Sequence, residues 1–173
     1  PSSVKVIGDY AFNDCSNLNS VTIPEGVERI GYYAFEECRI SSISIPKTVE
    51  FIGNSAFRYC RDLSDVSIAN GVTRICDSTF EGCYSLKAID LPESVSVIDN
   101  EAFYDCSNLK TVTIRNKDCQ IYPENSTIYS KALVCGYEES TAYDFAYRNG
   151  RKFQVIDTDE IIQRGKCGSF LTF

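Results

Sequence analysis

The sequence predicts an α/β repeat solenoid, because one short pattern recurs five times at a nearly constant spacing. The pattern opens at Ile7 and again at Ile30, Ile52, Ile75 and Ile98, so the spacings are 23, 22, 23 and 23 residues. Each copy contains an aromatic residue, a cysteine three positions later, and then an alternating apolar segment. A period in the twenties is typical of solenoids, in which stacked units bury one continuous core.

The first part of each copy predicts a short helical turn. The third copy shows the pattern Gly-x-x-Ala-Phe-x-x-Cys at Gly53, Ala56, Phe57 and Cys60. A Phe and a Cys three positions apart share one face of a helix, and we expect that face to point into the core. The aromatic column is Phe12, Phe35, Phe57, Phe80 and Phe103, and the cysteine column is Cys15, Cys38, Cys60, Cys83 and Cys106.

The second part of each copy predicts a half-buried strand. In the third copy Leu63, Val66 and Ile68 follow the cysteine, with a polar residue between the last two. Alternation with a period of two is typical of a strand that places one face in the core. Proline follows the strand segment in three copies, where it ends the ladder because it has no N–H to donate. We therefore expect one such strand in every copy, about 23 residues after the last.

A different unit follows the repeats and predicts a cap. The segment 132–134 indicates a strand, and 140–148 indicates a helix with Ser140 or Thr141 as its N-cap. Asn-Gly then supplies a helix stop, and residues 153–156 indicate a final strand. A stack of repeats has to cover its open end with an atypical unit, which this segment supplies.

The pattern therefore divides the chain into three parts. We assign five repeats to residues 1–117, a C-terminal capping unit to 118–156, and a tail or the start of a following module to 157–173. The N-terminal side shows no capping unit, and the chain opens inside a repeat. We therefore expect it to be a piece of a longer array.

Composition excludes several classes of partner. The net charge of -7 and the pI near 4.7 argue against nucleic acid, which calls for clustered Lys and Arg. The sequence has no apolar run of the ~18 residues that a membrane span needs, so we expect no direct membrane insertion in this fragment.

The cysteines indicate packing more than cross-linking. Five of the nine cysteines occupy one repeat column, and a column is a packing position, so we interpret them as small, buried, reduced side chains. We prefer this packed thiol column over a redox or metal site. Cys76, Cys119, Cys135 and Cys167 lie off the column, and one disulfide among them stays an open alternative.

The residue types needed for common catalysis are missing. The chain has no His, which excludes Ser-His-Asp and Cys-His catalysis as well as a His-ligated metal. It also has no Gly-rich phosphate loop and no cysteine pairs at zinc spacing. We therefore expect no catalytic residue, no metal and no cofactor.

The outward residues of the predicted strands are the best candidates for binding. They would form two columns on a concave sheet face, which solenoids use for ligands. The candidate binding residues are Ser20, Thr22, Ser42, Ser44, Asp65, Ser67, Asp90, Thr111 and Thr113, and Ala88 occupies one further position in these columns. This face is polar and slightly acidic, and it lacks the Trp, Tyr and Arg anchors typical of interface hot spots. Its area is on the order of 300 Å², whereas a standard interface needs about 800 Å² per partner.

Two alternatives stay open for the surface. The outward strand residues also fit ordinary solvent-facing positions. Tyrosines near the predicted helical turns form a second candidate patch, although they do not share one column; they are Tyr10, Tyr33, Tyr59, Tyr84 and Tyr104.

The full frame, I-G-x-x-A-F-x-x-C-x-x-L-x-x-V-x-I-P, resembles the BspA-like class of leucine-rich repeats over residues 4–115. The closing segment from Gly136 to Phe153 is similar to the cap that often follows such arrays. The resemblance implies a right-handed superhelix with one strand and one short helical turn per repeat. It also implies a secreted or cell-surface protein that acts in adhesion, with a surface protein or a glycan of a host or neighbouring cell as partner. The alternative is a structural spacer that displays other modules.

Overall fold

The computed structural model describes residues 3–156 and the backbone of one further strand, Phe170–Leu171. The described chain winds through about seven turns of a β-solenoid. We number the repeats as rungs 1 to 5, at residues 7–29, 30–51, 52–74, 75–97 and 98–120. A complete rung passes through a two-residue strand, a side built of tight turns, and a four-residue strand.

Most strands of the repeats pair in parallel with their equivalents one rung away. The two-residue strands are β1 Val6–Ile7, β2 Arg29–Ile30, β4 Phe51–Ile52, β6 Arg74–Ile75, β8 Val97–Ile98 and β10 Gln120–Ile121. The four-residue strands are β3 Ser42–Ile45, β5 Asp65–Ile68, β7 Ala88–Leu91, β9 Thr111–Ile114 and β11 Leu133–Gly136. The capping unit adds helix α1 Thr141–Arg148 and strands β12 Phe153–Val155 and β13 Phe170–Leu171.

Tight turns stand where the sequence predicts a helical turn, so that prediction is wrong. In rung 3 the backbone N–H groups of Ala56, Arg58 and Cys60 each donate to the carbonyl three residues earlier. The intervening N–H groups of Phe57 and Tyr59 donate instead to rung 4, at 3.0 and 2.8 Å. An α-helix keeps all of these bonds within the segment, whereas consecutive turns free alternate N–H groups to join the rungs.

The turns require left-handed backbone at two positions in each rung. In rung 3 these are Ser55 and Tyr59, with φ of 57° and 53°. A side chain in this region costs roughly 1–2 kcal/mol, and the bonds between rungs offset that cost. A Phe and a Cys three positions apart face the core in either geometry, so their spacing could not distinguish the turns from a helix.

The predicted inward face of the Phe and Cys columns is confirmed in rungs 2 to 5, whereas Cys15 in rung 1 is exposed, so the prediction that it is buried is wrong. The Phe rings of rungs 2 to 5 are fully buried, and those of successive rungs stack with centroids 5.5–5.6 Å apart. Phe12 in rung 1 stacks on Phe35 at 5.1 Å but is 38% exposed. Stacked rings add to the free energy gained by burying them.

The column thiols also hold the rungs together through hydrogen bonds. The Sγ atoms of Cys60, Cys83 and Cys106 donate to Phe carbonyls of the preceding rung at 3.0–3.2 Å. Burial raises the pKa of the Cys106 thiol to about 12 and also raises the pKa of the Cys60 thiol. The thiols therefore stay protonated and act as donors, which the packing argument did not predict.

Proline positions decide where the four-residue strands form a ladder. Rungs 3 and 5 carry Ala69 and Arg115 after the strand, and their N–H groups donate to the previous strand at 3.0 and 3.2 Å. Rungs 2 and 4 carry Pro46 and Pro92 there, and proline has no N–H. The four-residue strands accordingly separate into a β3–β5 pair and a sheet that contains β7, β9 and β11.

The predicted strand of rung 1 does not form. Residues 18–23 have no regular secondary structure, although Arg39 and Ser41 of rung 2 still donate to Leu18 and Asn19. Pro46 follows the strand of rung 2, so the junction between rungs 1 and 2 lacks the closing N–H that Ala69 supplies one rung later.

The junction between rungs 3 and 4 is interrupted on both strand sides, because β4 does not pair with β6 and β5 does not pair with β7. Gly53 opens rung 3, and a Cβ built there would lie 2.6 Å from the backbone nitrogen of Tyr32. Rung 4 has Cys76 at this position, but rung 5 has Asp99 there and β8 still pairs with β6, so the missing glycine alone does not explain the interruption.

An ion-pair cluster on the turn side bridges that interrupted junction. Arg58 of rung 3 donates to both carboxylate oxygens of Glu81 in rung 4, at 2.8 and 2.9 Å. The Tyr59 hydroxyl donates to the same carboxylate at 3.1 Å. Burial on its own would raise the pKa of the Glu81 carboxyl. Hydrogen bonds from Arg58, Ser78 and Tyr59 outweigh this effect, so the pKa lies below its ordinary value.

The predicted elements of the capping unit are confirmed. Helix α1 begins after Ser140, whose hydroxyl accepts from the Tyr143 N–H at 3.2 Å, and it ends at the Asn149 C-cap. The predicted strands appear as β11 and β12. Arg151 is 4% exposed and donates to the carbonyls of Asn125, Ile128 and Tyr129. Burial lowers the pKa of Arg151 to about 10.

The far edge of the capping unit is joined by β13, which pairs with β12 in the antiparallel sense. The other residues that we assigned to a tail, including Cys167, lie outside the described residues. The right-handed twist of the superhelix stays a prediction.

Candidate functional site: the strand face

The structure brings the predicted binding residues onto one surface, which we call the strand face. It consists of the outward side chains of β3, β5, β7 (including Ala88) and β9, together with Ser20 and Thr22. Thr111 and Thr113 are half-buried, and the other members are exposed. None of these side chains belongs to the core, so the fold leaves them available for contacts with another molecule.

Register aligns the outward residues in two columns. Ser42 lies opposite Asp65, and Ser44 lies opposite Ser67. The Ser67 hydroxyl donates to the Ser44 hydroxyl at 3.1 Å. Thr22, Ser42, Ser44 and Ser67 line a groove of about 660 Å³ that extends past the strand ends to Pro46 and Lys47. The N-terminal half of the strand face is therefore a groove that combines Ser and Thr hydroxyls with apolar side chains such as Ile45 and Ile68.

Asp90 is not the free acid that the sequence suggested. Its carboxylate accepts two hydrogen bonds from Arg115, at 2.7 and 2.6 Å. The hydrogen bond to Asp90 raises the pKa of Arg115. This pair neutralises one of the two acidic residues on the strand face and leaves Asp65, whose carboxylate accepts from the Ser64 hydroxyl at 2.8 Å.

An Arg and a Tyr, residue types common at interface hot spots, border the strand face, although the sequence predicts neither type on it. Arg115 directly follows β9, and Tyr137 directly follows β11. Because Cys135 lies opposite Thr113, continuing the register places Tyr137 beside Arg115. Both residues line an open cleft of about 490 Å³ with Glu93, Asn116 and Lys117. The sequence signal that could have indicated this cleft is Arg115, which follows its strand at a position where other repeats have proline.

The tyrosines of the alternative patch differ in their surroundings. Tyr10 and Tyr33 stack with centroids 4.9 Å apart, whereas Tyr59 belongs to the ion-pair cluster with Glu81. A different aromatic group lies on the side of the two-residue strands, where the Arg29 guanidinium sits 4.2 Å from the centre of the Phe51 ring. Sequence reasoning did not identify that group.

Within residues 3–156, no three His, Cys, Asp or Glu side chains are grouped to hold a metal ion. Among the described helices, none has the length and apolar character to cross a membrane. Cys76 and Cys119 carry free thiols, so they do not form the off-column disulfide left open by the sequence.

Known proteins resemble this chain in sequence and in fold. The family model for the BspA type leucine rich repeat region matches residues 1–110 in six copies. A leucine-rich repeat protein from Bacteroides ovatus is 25% identical with a TM-score of 0.56, over 79% of this chain and 48% of the other. A leucine-rich repeat protein from Eubacterium ventriosum is 24% identical with a TM-score of 0.60, over 80% and 40%.

A leucine rich cell surface protein from Faecalibacterium prausnitzii is 22% identical with a TM-score of 0.52, over 83% of this chain and 54% of the other. The chain thus spans about half or less of the length of these three solved proteins. No curated protein matches it.

Proposed function

Because the chain belongs to the BspA-type leucine-rich repeat family, we propose that it is a non-catalytic interaction module of a secreted or cell-surface protein. The partner is a surface protein or a glycan of a host or neighbouring cell, and the module acts in adhesion. The strand face meets this partner as the concave side of a right-handed superhelix.

The separation of structural side chains from outward side chains carries this proposal. Phe, Cys, Leu and Val columns fill the core, and the ion-pair cluster bridges two rungs. The outward residues of β3 and β5 are exposed, and the groove beside them is open at the surface. Repeat proteins use such extended surfaces to bind partners.

The strand face is smaller than a standard protein interface, which limits the affinity it can provide alone. Five rungs at the spacing of paired strands give an area on the order of 300 Å², and a standard interface needs about 800 Å² per partner. This segment therefore binds weakly alone or contributes part of a larger surface. The small area also favours the second candidate function, a structural spacer that displays other modules.

Introduction of a positive charge on the strand face tests the proposal. Ser67→Arg places a long cation in the groove, and Ser96→Arg is its matched control on the side of the two-residue strands. Both serines are exposed, and each hydroxyl donates one 3.1 Å bond to the neighbouring rung. A screen of extracellular proteins and oligosaccharides first supplies a ligand, whose affinity is then measured by titration calorimetry.

We expect Ser67→Arg to weaken binding by about 10-fold or more, as for central interface positions. Ser96→Arg should leave the affinity unchanged, and both variants should melt with the parent. Equal affinities for all three proteins would move the site off the strand face. A screen without any ligand would favour the spacer.

A further inference from the structure

The C-terminal end of the strand face differs chemically from the rest. Pro46 and Pro92 follow the four-residue strands of rungs 2 and 4. At the equivalent position Arg115 follows β9 and Tyr137 follows β11. Ser and Thr hydroxyls line the groove at the other end. A cation and an aromatic ring therefore meet only at this end of the strand face.

Two polar side chains of this cleft, Arg115 and Asn116, are held in place. Both carboxylate oxygens of Asp90 bind Arg115, and such a two-bond pair fixes the plane of the guanidinium. The Asn116 side chain donates to the Glu93 carbonyl at 3.1 Å and accepts from the Asp118 N–H at 3.0 Å. These two side chains are thus ordered without a ligand, which lowers the entropy cost of binding one.

Charges in and beside the cleft are balanced. Arg115 and Lys117 are cationic, and Asp90 and Glu93 are anionic. Among the described residues, the Lys117 ammonium and the Glu93 carboxylate have no ion-pair partner, and both side chains belong to exposed residues. A ligand with net charge of either sign would meet like charges, which costs binding free energy. The balance favours a neutral ligand that can donate and accept hydrogen bonds.

We propose that this cleft is a subsite for a neutral sugar. Sugar hydroxyls donate to Glu93 and Asp90 and accept from Lys117 and from the part of Arg115 that Asp90 leaves unoccupied. The C–H face of the sugar packs on the ring of Tyr137, since an aromatic side chain offers an apolar body beside a polar tip. The inference rests on the proposed function, because it names the ligand class at one end of the strand face.

The experiment measures binding of three probe sets by titration calorimetry. The first set contains neutral hexasaccharides from mannan, glucan and galactan; the second contains sialylated and sulfated oligosaccharides; the third contains random unstructured peptides. We expect millimolar to micromolar binding of at least one neutral hexasaccharide, and binding of the other sets at least about tenfold weaker, a difference of about 1.4 kcal/mol.

Variants assign the binding to the cleft. Arg115→Ala and Tyr137→Ala should each weaken it by about tenfold or more, the loss typical of an anchor residue. Arg74→Ala is the matched control, because Arg74 makes a two-bond pair with Asp99, also 25 residues away, on the opposite strand side. Lys117→Glu alters an exposed side chain and should weaken binding without unfolding the protein, even if Arg115→Ala proves unstable.

Several outcomes would overturn the inference. They are an absence of neutral-sugar binding at millimolar concentration, tighter binding of charged sugars or peptides, and an affinity that Tyr137→Ala and Lys117→Glu leave unchanged. Failure of the sugar subsite can be distinguished from failure of the proposed function of the strand face. If Ser67→Arg abolishes partner binding while Tyr137→Ala does nothing, the strand face stands and the sugar subsite does not.

Discussion

Truncation of Phe57 to alanine tests the stacked core, because this ring is fully buried between two others. Its centroid lies 5.5 Å from those of both Phe35 and Phe80, with interplanar angles of 1° and 6°. Removing a buried Phe side chain costs about 3–5 kcal/mol through lost burial and the cavity left behind. Two stacked neighbours place Phe57 in the upper half of that range, a large share of a domain's typical stability.

The matched control is Phe12→Ala in rung 1. Phe12 is 38% exposed and stacks on Phe35 alone among the described rings. Since it is less buried and has half the stacking, we expect a loss of only about 2 kcal/mol. Urea denaturation followed by circular dichroism gives both values. Equal losses for the two variants, or a Phe57→Ala midpoint matching the parent, would refute the stacked core.

Three further predictions concern the turn side and the thiols. Glu81→Gln should destabilise the protein by about 2 kcal/mol at pH 7. The bonds to Glu81 hold its pKa below the ordinary ~4.3, so their stabilisation is present above that value and is lost as pH falls through the lowered pKa. Melts at stepped pH should therefore converge with the parent in acid, and a constant gap would contradict this. Gly82→Ala should lower the free energy of unfolding by about 2–3 kcal/mol, measured by denaturant titration, because φ is +67° and a Cβ would overlap the Tyr59 ring. An unchanged free energy of unfolding would show that the ring moves freely. Iodoacetamide at pH 8 should modify exposed Cys15 but spare buried Cys106, as read by mass spectrometry, and native labelling of Cys106 would exclude a protonated thiol column.

The core could be predicted because it repeats. Five matching positions for Phe and five for Cys identify inward columns whatever the local backbone does. The cap helix was predictable for a different reason, since Ser140 and the Asn149–Gly150 pair are local start and stop signals. The outward columns of the strand face followed from strand alternation alone.

Bonds between rungs could not be predicted in the same way. Helical and turn geometries both place Phe57 and Cys60 inward, and only the N–H bonds to rung 4 favour turns. The proline positions did contain readable information: Ala69 and Arg115 restore the N–H that Pro46 and Pro92 lack, and the ladder forms where it is restored.

Arg115 and Tyr137 could not be predicted as neighbours, because the sequence alone does not give the register between β9 and β11. In the sequence Arg115 differs from other repeats only by standing in place of proline, and Tyr137 lies in the capping unit outside the repeat frame. Pairing of β9 with β11 places these two residues in adjacent rungs. A search of the repeat columns extended into the capping unit would have found both.

The central claim is that the outward strand residues meet the partner while the core columns serve the fold. Amide chemical-shift mapping of the isotope-labelled protein during ligand titration tests it most directly. We predict that shifts concentrate on β3, β5, β7 and β9 and on Arg115 and Tyr137, with the turn side unchanged. Shifts concentrated on the turn side or on the two-residue strands would contradict the claim.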